Sequence, residues 1–245
     1  MTMRLFVAAP LVAGAELVLP PGATRHAQVR RVQPGDGLVL FDGAGSDWPA
    51  QVLAVGRSEV RVHVGSGRPV NNELPHAVTL ALGMPANERM DTLVEKACEL
   101  GVARIQPLLT ERSVLRLAGE RAQRKCAHWQ AIAQAACEQC GRARVPEVAA
   151  VLTLAEWLPQ ARAGLRLVLS LRLEAQPLAR LQMPQAGAIT ALSGPEGGLT
   201  AAEEAAATAQ GFVATALGPR VLRADTAPLA VLAWLALRGG GQAER

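Results

Sequence analysis

At residues 192–200 the chain reads "LSGPEGGLT", a proline and a glutamate set among three glycines, just after the apolar run "AITAL" and just before the alanine-rich "AAEEAAATAQ". Strand, tight loop and helix follow from that order. Gly194, Gly197 and Gly198 permit close backbone approach, and Pro195 stiffens the turn. A second stretch, "LGPRVLRADTA" at residues 217–227, repeats the plan, with Asp225 or Thr226 placed to cap or open the last helix. Either loop alone could be no more than a tight strand-to-helix turn.

On both sides of these loops strands and helices alternate. "AVTLALG" at 77–83 is a buried strand, and "ERMDTLVEKACELG" puts Met90, Leu93, Val94, Ala97 and Leu100 on one helical stripe with Gly101 as its stop. "RIQPLLT" is the next strand, a helix is expected over about 120–140, and strands follow at "LRLVLS" and "AITAL". The helix "AAEEAAATAQG", the strand "FVATAL" and a last helix over about 224–237 complete the run. Such alternation implies an α/β fold with a parallel sheet covered on both faces, in which ligands bind at loops leaving the carboxyl ends of strands. The last helix, "APLAVLAWLAL", is apolar nearly all round and is expected to be buried in the core or across a dimer interface.

The first seventy residues follow different rules. "GDGLVLFDGAGSDWPAQVLAV" reads as strand, glycine-rich turn and strand, "SEVRVHV" is a third strand of period two, and "ATRHAQVRRV" has helical character. The segment 65–75, "GSGRPVNNELP", reads as a linker. Residues 1–70 are thus expected to form a small, mostly β domain, and 76–245 the α/β domain.

Composition bounds the function. With 245 residues, 50% of them hydrophobic, the chain can bury a substantial core, and no apolar run reaches the length of a membrane span. "MTMR" followed by "LFVAAPLVAGA" has features of an export leader, but Pro10 interrupts the apolar run and "RLFVA" reads equally as an opening strand, so a cytoplasmic protein is expected. The net charge is only +4, yet residues 104–144 hold eight arginines and lysines against three glutamates. That stretch is either a solvated helix face or the footprint of a phosphate backbone. There are seven aromatic residues, none of them tyrosine, so base stacking on an aromatic sheet is not expected and charge and shape must carry any RNA binding.

Neither loop is a phosphate loop, because "GxxxxGK[ST]" and "GxGxxG" are absent, and Glu196 and Asp225 would repel a triphosphate. The missing dinucleotide fingerprint also excludes a nucleotide-dependent oxidoreductase. A glutamate among backbone amides suits a cationic or neutral ligand carrying hydroxyls and a base. Cys137 and Cys140 form a "CxxC" near Cys126 and His128, but all four lie in one helical stretch with no second compact pair, so no metal is expected. His63 and His76 read as surface histidines.

The pair of loops resembles the signature of the ribosomal RNA small subunit methyltransferase E family, within the knotted SPOUT superfamily. "ERMDTLVEKACELGVARIQPLLTERS", "AACEQCGRARVPEV" and "HAQVRRVQPGDGLVLFDGAG" are similar to three further family motifs, in the family's order and over nearly the whole chain. The resemblance implies an S-adenosylmethionine-dependent enzyme that methylates N3 of one uridine in 16S ribosomal RNA, on the small ribosomal subunit. It also implies a homodimer, a PUA-like N-terminal β-barrel that helps bind RNA, and a C-terminal parallel-sheet domain tied in a trefoil knot, a rare exception to unknotted folds.

By position, the resemblance assigns the methyl donor to three loops. The first carries Leu169, Ser170 and Leu171; the second Leu192, Gly194, Pro195, Glu196, Gly197 and Gly198; the third Leu217, Gly218, Val221, Leu222, Arg223 and Thr226. Uridine N3 must lose a proton before it attacks, which calls for a base and for cations facing the oxyanion. Glu138 and Glu196 are the candidate carboxylates, and Arg112, Arg142, Arg220 and Arg223 the candidate cations, of which Glu138, Arg112, Arg142 and Arg223 are assigned to catalysis. RNA contacts are assigned to Arg25, His26, Arg30, Arg31, Arg112, Gln139 and Arg142. Asp225 stands where the family more usually has glutamate, and Ser193 and Cys140 also depart from its common choices. Two other readings keep the fold: a related methyltransferase acting on transfer RNA or a ribose hydroxyl, and a non-catalytic RNA-binding assembly factor.

Overall fold

The computed structural model describes residues 2–86, 88–162 and 164–239. It divides into two compact units, the first taking the chain up to Glu73 together with Gln134–Val145, the second Leu74–Ala133 and the chain from Pro146 onward. The boundary expected near residue 70 therefore leaves out a segment, because Gln134–Val145 returns to the first unit.

The first unit is a six-stranded sheet with one helix. Its elements are β1 (Met3–Phe6), β2 (Glu16–Val18), α1 (Pro21–Val29), β3 (Gly37–Phe41), β4 (Ser46–Val55), β5 (Val60–Val64) and β6 (Arg68–Pro69). The order is β1-β3-β4-β5-β2, with β6 on β4; β1 runs parallel to β3 and the other pairs are antiparallel. In β5, Val60, Val62 and Val64 are buried while Arg61 and His63 face solvent, the period of two that the sequence carries. Pro21 occupies the first turn of α1, where its missing N–H costs nothing, and Ala23, Thr24 and Ala27 turn inward. The segment read as a linker contributes the two residues of β6, paired with Ser46 and Asp47.

Gln134–Val145 joins this unit through a core of its own. Cys137 and Ala143 are buried with Phe41, flanked by Phe6, Val70 and Val145, and the Phe6 and Phe41 rings meet edge to face at 5.7 Å. Burying a phenylalanine contributes about 1.5–3 kcal/mol, so the segment is packed in and not merely laid on. The Gly45 N–H donates to Ala143 O at 3.0 Å.

The second unit is built on an eight-stranded parallel sheet. In chain order it has β7 (His76–Gly83), α2 (Glu88–Glu99), β8 (Arg104–Leu109), α3 (Gly119–Cys140, whose last turns belong to the first unit), β9 (Glu147–Val148), β10 (Leu152–Thr153) and α4 (Leu154–Trp157). Then come β11 (Leu165–Leu169), β12 (Gln176–Pro177), β13 (Gly187–Ser193), α5 (Ala201–Ala209), β14 (Val213–Ala216) and α6 (Thr226–Gly239). The order is β10-β8-β7-β13-β11-β14-β12, with β9 on β8. One face packs Ala81, Leu108, Val168 and Leu192 against Trp157, Leu158, Ala207 and Phe212. α2 buries Met90, Leu93, Val94 and Ala97, and packs on α6. The buried Trp129 of α3 donates its indole N–H to Asp91 Oδ1 at 2.9 Å, which fixes α3 to α2.

One expectation needs correction. His76 is not a surface residue: it is only 9% exposed, and its Nε2 lies 2.9 Å from Pro184 O, so the ring caps the start of β7. In α6, Val231, Leu232 and Leu235 are buried within the chain while Leu237 is exposed. Among the described residues no helix is long and apolar enough to cross a membrane.

Strand order decides where a ligand can bind. From β7 the chain builds outward through β8 in one direction, while β13, late in sequence, lies against the other side of β7 and leads to β11 and β14. Reversal of this kind opens a crevice beyond the carboxyl ends of the strands, between loops that leave in opposite directions.

Candidate functional site

Three loops leave the carboxyl ends of the adjacent strands β13, β11 and β14 and enclose a cavity of ≈ 800 Å³. Leu169, Ser170 and Leu171 line it, as do Gly194, Pro195, Glu196, Gly197 and Gly198, and Leu217, Gly218, Val221, Leu222 and Arg223. Two residues assigned to the same ligand do not. Leu192 lies in β13 with its side chain wholly in the core, and Thr226 opens α6 with its N–H on Arg223 O. Sequence position marked the loops but not the direction of each side chain. Arg89, Arg172, Leu173 and Arg220 also line the cavity. Of these, Arg89 was hidden because it reaches in from α2.

The loop after β13 is held from several sides. Glu196 Oε1 accepts the Ala86 N–H at 3.0 Å and the Arg89 guanidinium at 3.1 Å. Arg112 Nη1 donates to Gly197 O at 2.8 Å. Gly83, at the end of β7, lies so close beneath that a Cβ there would stand 2.6 Å from Pro195 Cδ, which explains the absence of a side chain. Thr200 closes the loop as the N-cap of α5 in a reciprocal capping box with Glu203.

The loop after β11 is tied to the same helix. Glu204 Oε2 accepts from the buried Ser170 hydroxyl at 2.9 Å and lies 2.8 Å from Arg172 Nε, while Arg172 Nη2 donates to Ala201 O at 3.2 Å. The loop after β14 is open: Arg220, Val221 and Arg223 are exposed. Asp225 Oδ1 is buried there without a hydrogen-bond partner. Leu171, Leu173 and Val221 are exposed apolar side chains at the cavity.

The remaining candidates belong to the first unit. Glu138 Oε1 accepts the Phe6 N–H at 2.8 Å and its Oε2 lies 3.2 Å from His26 Nδ1, so two residues assigned separately to catalysis and to RNA meet. Arg142, expected as an accessible cation, is only 4% exposed and pairs with Glu73, its Nε donating to Oε1 at 3.0 Å and its Nη2 to Oε2. A charge so buried requires partners, and the Glu73 carboxylate supplies two of its hydrogen bonds. Arg25, Arg30, Arg31 and Gln139 are exposed.

These geometries have counterparts among known proteins. A model of the RNA methyltransferase domain matches residues 72–236, and one of the RNA methyltransferase PUA domain matches residues 19–65. Ribosomal RNA small subunit methyltransferase E of Synechocystis sp. is 36% identical over 95% of this chain and 77% of its own. The chain belongs to the ribosomal RNA small subunit methyltransferase E family. The namesake protein of Bacillus subtilis is 31% identical over 83% of this chain and 82% of its own. Among solved structures, a methyltransferase of Legionella pneumophila in complex with the cofactor S-adenosylmethionine is 33% identical, with a TM-score of 0.92 over 99% of this chain and 100% of its own. The small subunit methyltransferase E of Neisseria gonorrhoeae bound to S-adenosylmethionine is 34% identical, with a TM-score of 0.90 over 97% of this chain and 98% of its own.

The hydrogen bond with Cys137, then burial, pushes the Cys140 thiol up, and burial pushes the Cys126 thiol up, so both stay protonated at neutral pH. Among the described residues no group of three or more His, Cys, Asp or Glu is placed to hold a metal ion.

Proposed function

We propose that this protein uses S-adenosylmethionine to methylate N3 of one uridine in 16S ribosomal RNA. The observation that carries the reading is the three-loop cavity at the carboxyl ends of β13, β11 and β14, in a chain whose 33–34% identical structural relatives are described with S-adenosylmethionine. The residues present fit such a donor. The volume lies in the range of small-molecule sites, Leu171, Leu217, Val221 and Leu222 offer apolar walls, and Ser170 and the glycine-rich backbone offer polar groups.

When bound, S-adenosylmethionine supplies a methyl group already activated on a sulfonium, so the protein's task is largely positioning. The uridine ring nitrogen must be held in line with that methyl group and relieved of its proton, leaving charge on O2 and O4. Arg220 and Arg223, exposed on the third loop, are the cations best placed at the cavity to face that charge or the flanking phosphates. Glu196 is held by Arg89 and the Ala86 N–H, and Glu138 by the Phe6 N–H and His26, so both carboxylates are already engaged by groups of the protein itself.

In this reading the first seventy residues bind RNA and residues 76–245 carry out transfer. The chain is knotted, dimeric and cytoplasmic. Leu171, Leu173 and Val221 at the cavity, together with Leu237 on α6, support a second copy as the cover for exposed apolar surface.

The test is incubation with labelled S-adenosylmethionine and small subunits lacking the modification, followed by digestion and mass spectrometry of the nucleosides. Labelled 3-methyluridine is expected. Label on transfer RNA or on a ribose would move the acceptor, and donor binding without any transfer would leave an assembly factor.

A further inference from the structure

Arg112 lies in the second unit on the turn that follows β8, and its surroundings differ from those of a residue presented to RNA. Its Nη1 donates to Gly197 O at 2.8 Å and reaches Leu199 O at 3.5 Å. Its stem lies along the same loop, since a Cβ on Gly197 would stand 3.1 Å from Arg112 Cβ and 3.3 Å from Cδ. The neighbouring Glu111 N–H donates to Glu203 Oε1 at 2.8 Å, the carboxylate that also serves the capping box of α5.

The turn that presents both residues is itself fixed from within. Thr110 and Ser113 are buried, the Thr110 N–H donates to Ser113 Oγ at 3.0 Å, and the two hydroxyls lie 2.9 Å apart. Two consecutive residues on a rigid turn therefore grip the two ends of one structure, Arg112 the carbonyls of the loop and Glu111 the start of the helix.

We infer that Arg112 is a positioning residue that holds the 194–199 loop in its donor-binding shape, not a cation that meets the uridine or a phosphate. A loop with three glycines has much conformational freedom to lose, and a charge-assisted bond to its carbonyls removes part of that freedom before the ligand arrives. The inference rests on the cavity being the donor site.

Titration calorimetry with S-adenosylmethionine, in the absence of RNA, separates the roles. Arg112→Ala is expected to weaken donor binding about tenfold, the scale of one charge-assisted hydrogen bond. The KM for donor should rise with it, while the KM for small subunits and its salt dependence stay as in the unaltered protein. Ser113→Ala, which loosens the turn without touching any ligand, should weaken donor binding in the same direction by about threefold. Arg112 is exposed, so thermal melting should change little and exclude general unfolding. An Arg112→Ala protein with unaltered donor affinity, weaker subunit binding and a salt slope lower by about one would identify a phosphate contact and overturn the inference. Failure of the unaltered protein to bind S-adenosylmethionine would instead remove the reading of the cavity, and the inference with it.

Discussion

The loops at 194–199 and 217–225 are written in nearly the same residues, a strand followed by glycine, proline and a charge before a helix, yet they are opposite in structure. The first is fastened by Arg89, Ala86 and Arg112 and rests on Gly83. The second exposes Arg220, Val221 and Arg223, and local hydrogen bonds run from the N–H groups of Thr226 and Ala227 to Arg223 O. Glycine and proline set what a turn can do; side chains from elsewhere decide whether it is rigid. With the donor in the proposed site, the first loop is the preformed part of the cavity, while the second is held by fewer contacts from outside itself.

The largest expected effect that would break this contrast is at Gly194. A Cβ there would meet Leu199 N at 2.6 Å and Gly198 C at 2.7 Å, all backbone of the same loop, which cannot rotate away. Gly194→Ala should cost about 2 kcal/mol, so donor affinity measured by calorimetry should fall about thirtyfold. Near-normal affinity would show that the loop reshapes itself freely and is not preformed. In the second loop, Gly218 has φ +111 but nothing within 4 Å of the added Cβ. Gly218→Ala therefore meets conformational strain alone, and an exposed loop can redistribute it. About a fivefold loss of donor affinity is expected, near 1 kcal/mol. A loss equal to that at Gly194 would mean that the second loop is as constrained as the first.

Much of this was legible in the sequence, and the failures share a cause. Strands β3, β4, β5, β7, β8, β11, β13 and β14 and the longer helices fall where periodicity and turn residues put them, because each has enough residues to display a period. β2, β6, β9, β10 and β12 have two or three residues each and no period to show. Glycine-rich loops after apolar runs marked the cavity, yet Arg89 and Arg172, which help to line it, carry no local signal, since what brings them there is the packing of α2 and the bond to Glu204. Gln134–Val145 reads as the end of a helix, and only tertiary contact reveals that Cys137 and Ala143 share a core with Phe41. Arg142 and Glu138 looked like free charged groups for the same reason. Their partners, Glu73, Phe6 and His26, are 69 or more positions away in the chain.

The smallest expected effect refines the account of the first loop. Arg89 and Glu196 are both partly exposed, at 41% and 29% of their side chains, so water screens the pair and its contribution is below about 1 kcal/mol. Glu196→Gln removes the charge but leaves a carbonyl oxygen that can still accept the Ala86 N–H. Donor affinity should fall only about twofold to threefold, and the gap between variant and unaltered protein should narrow as salt rises, because only the latter has an ion pair to screen. A gap that persists in high salt would mean that Glu196 contacts the donor directly, which would make the loop's carboxylate a recognition group and leave its fastening to Arg112 and Gly83.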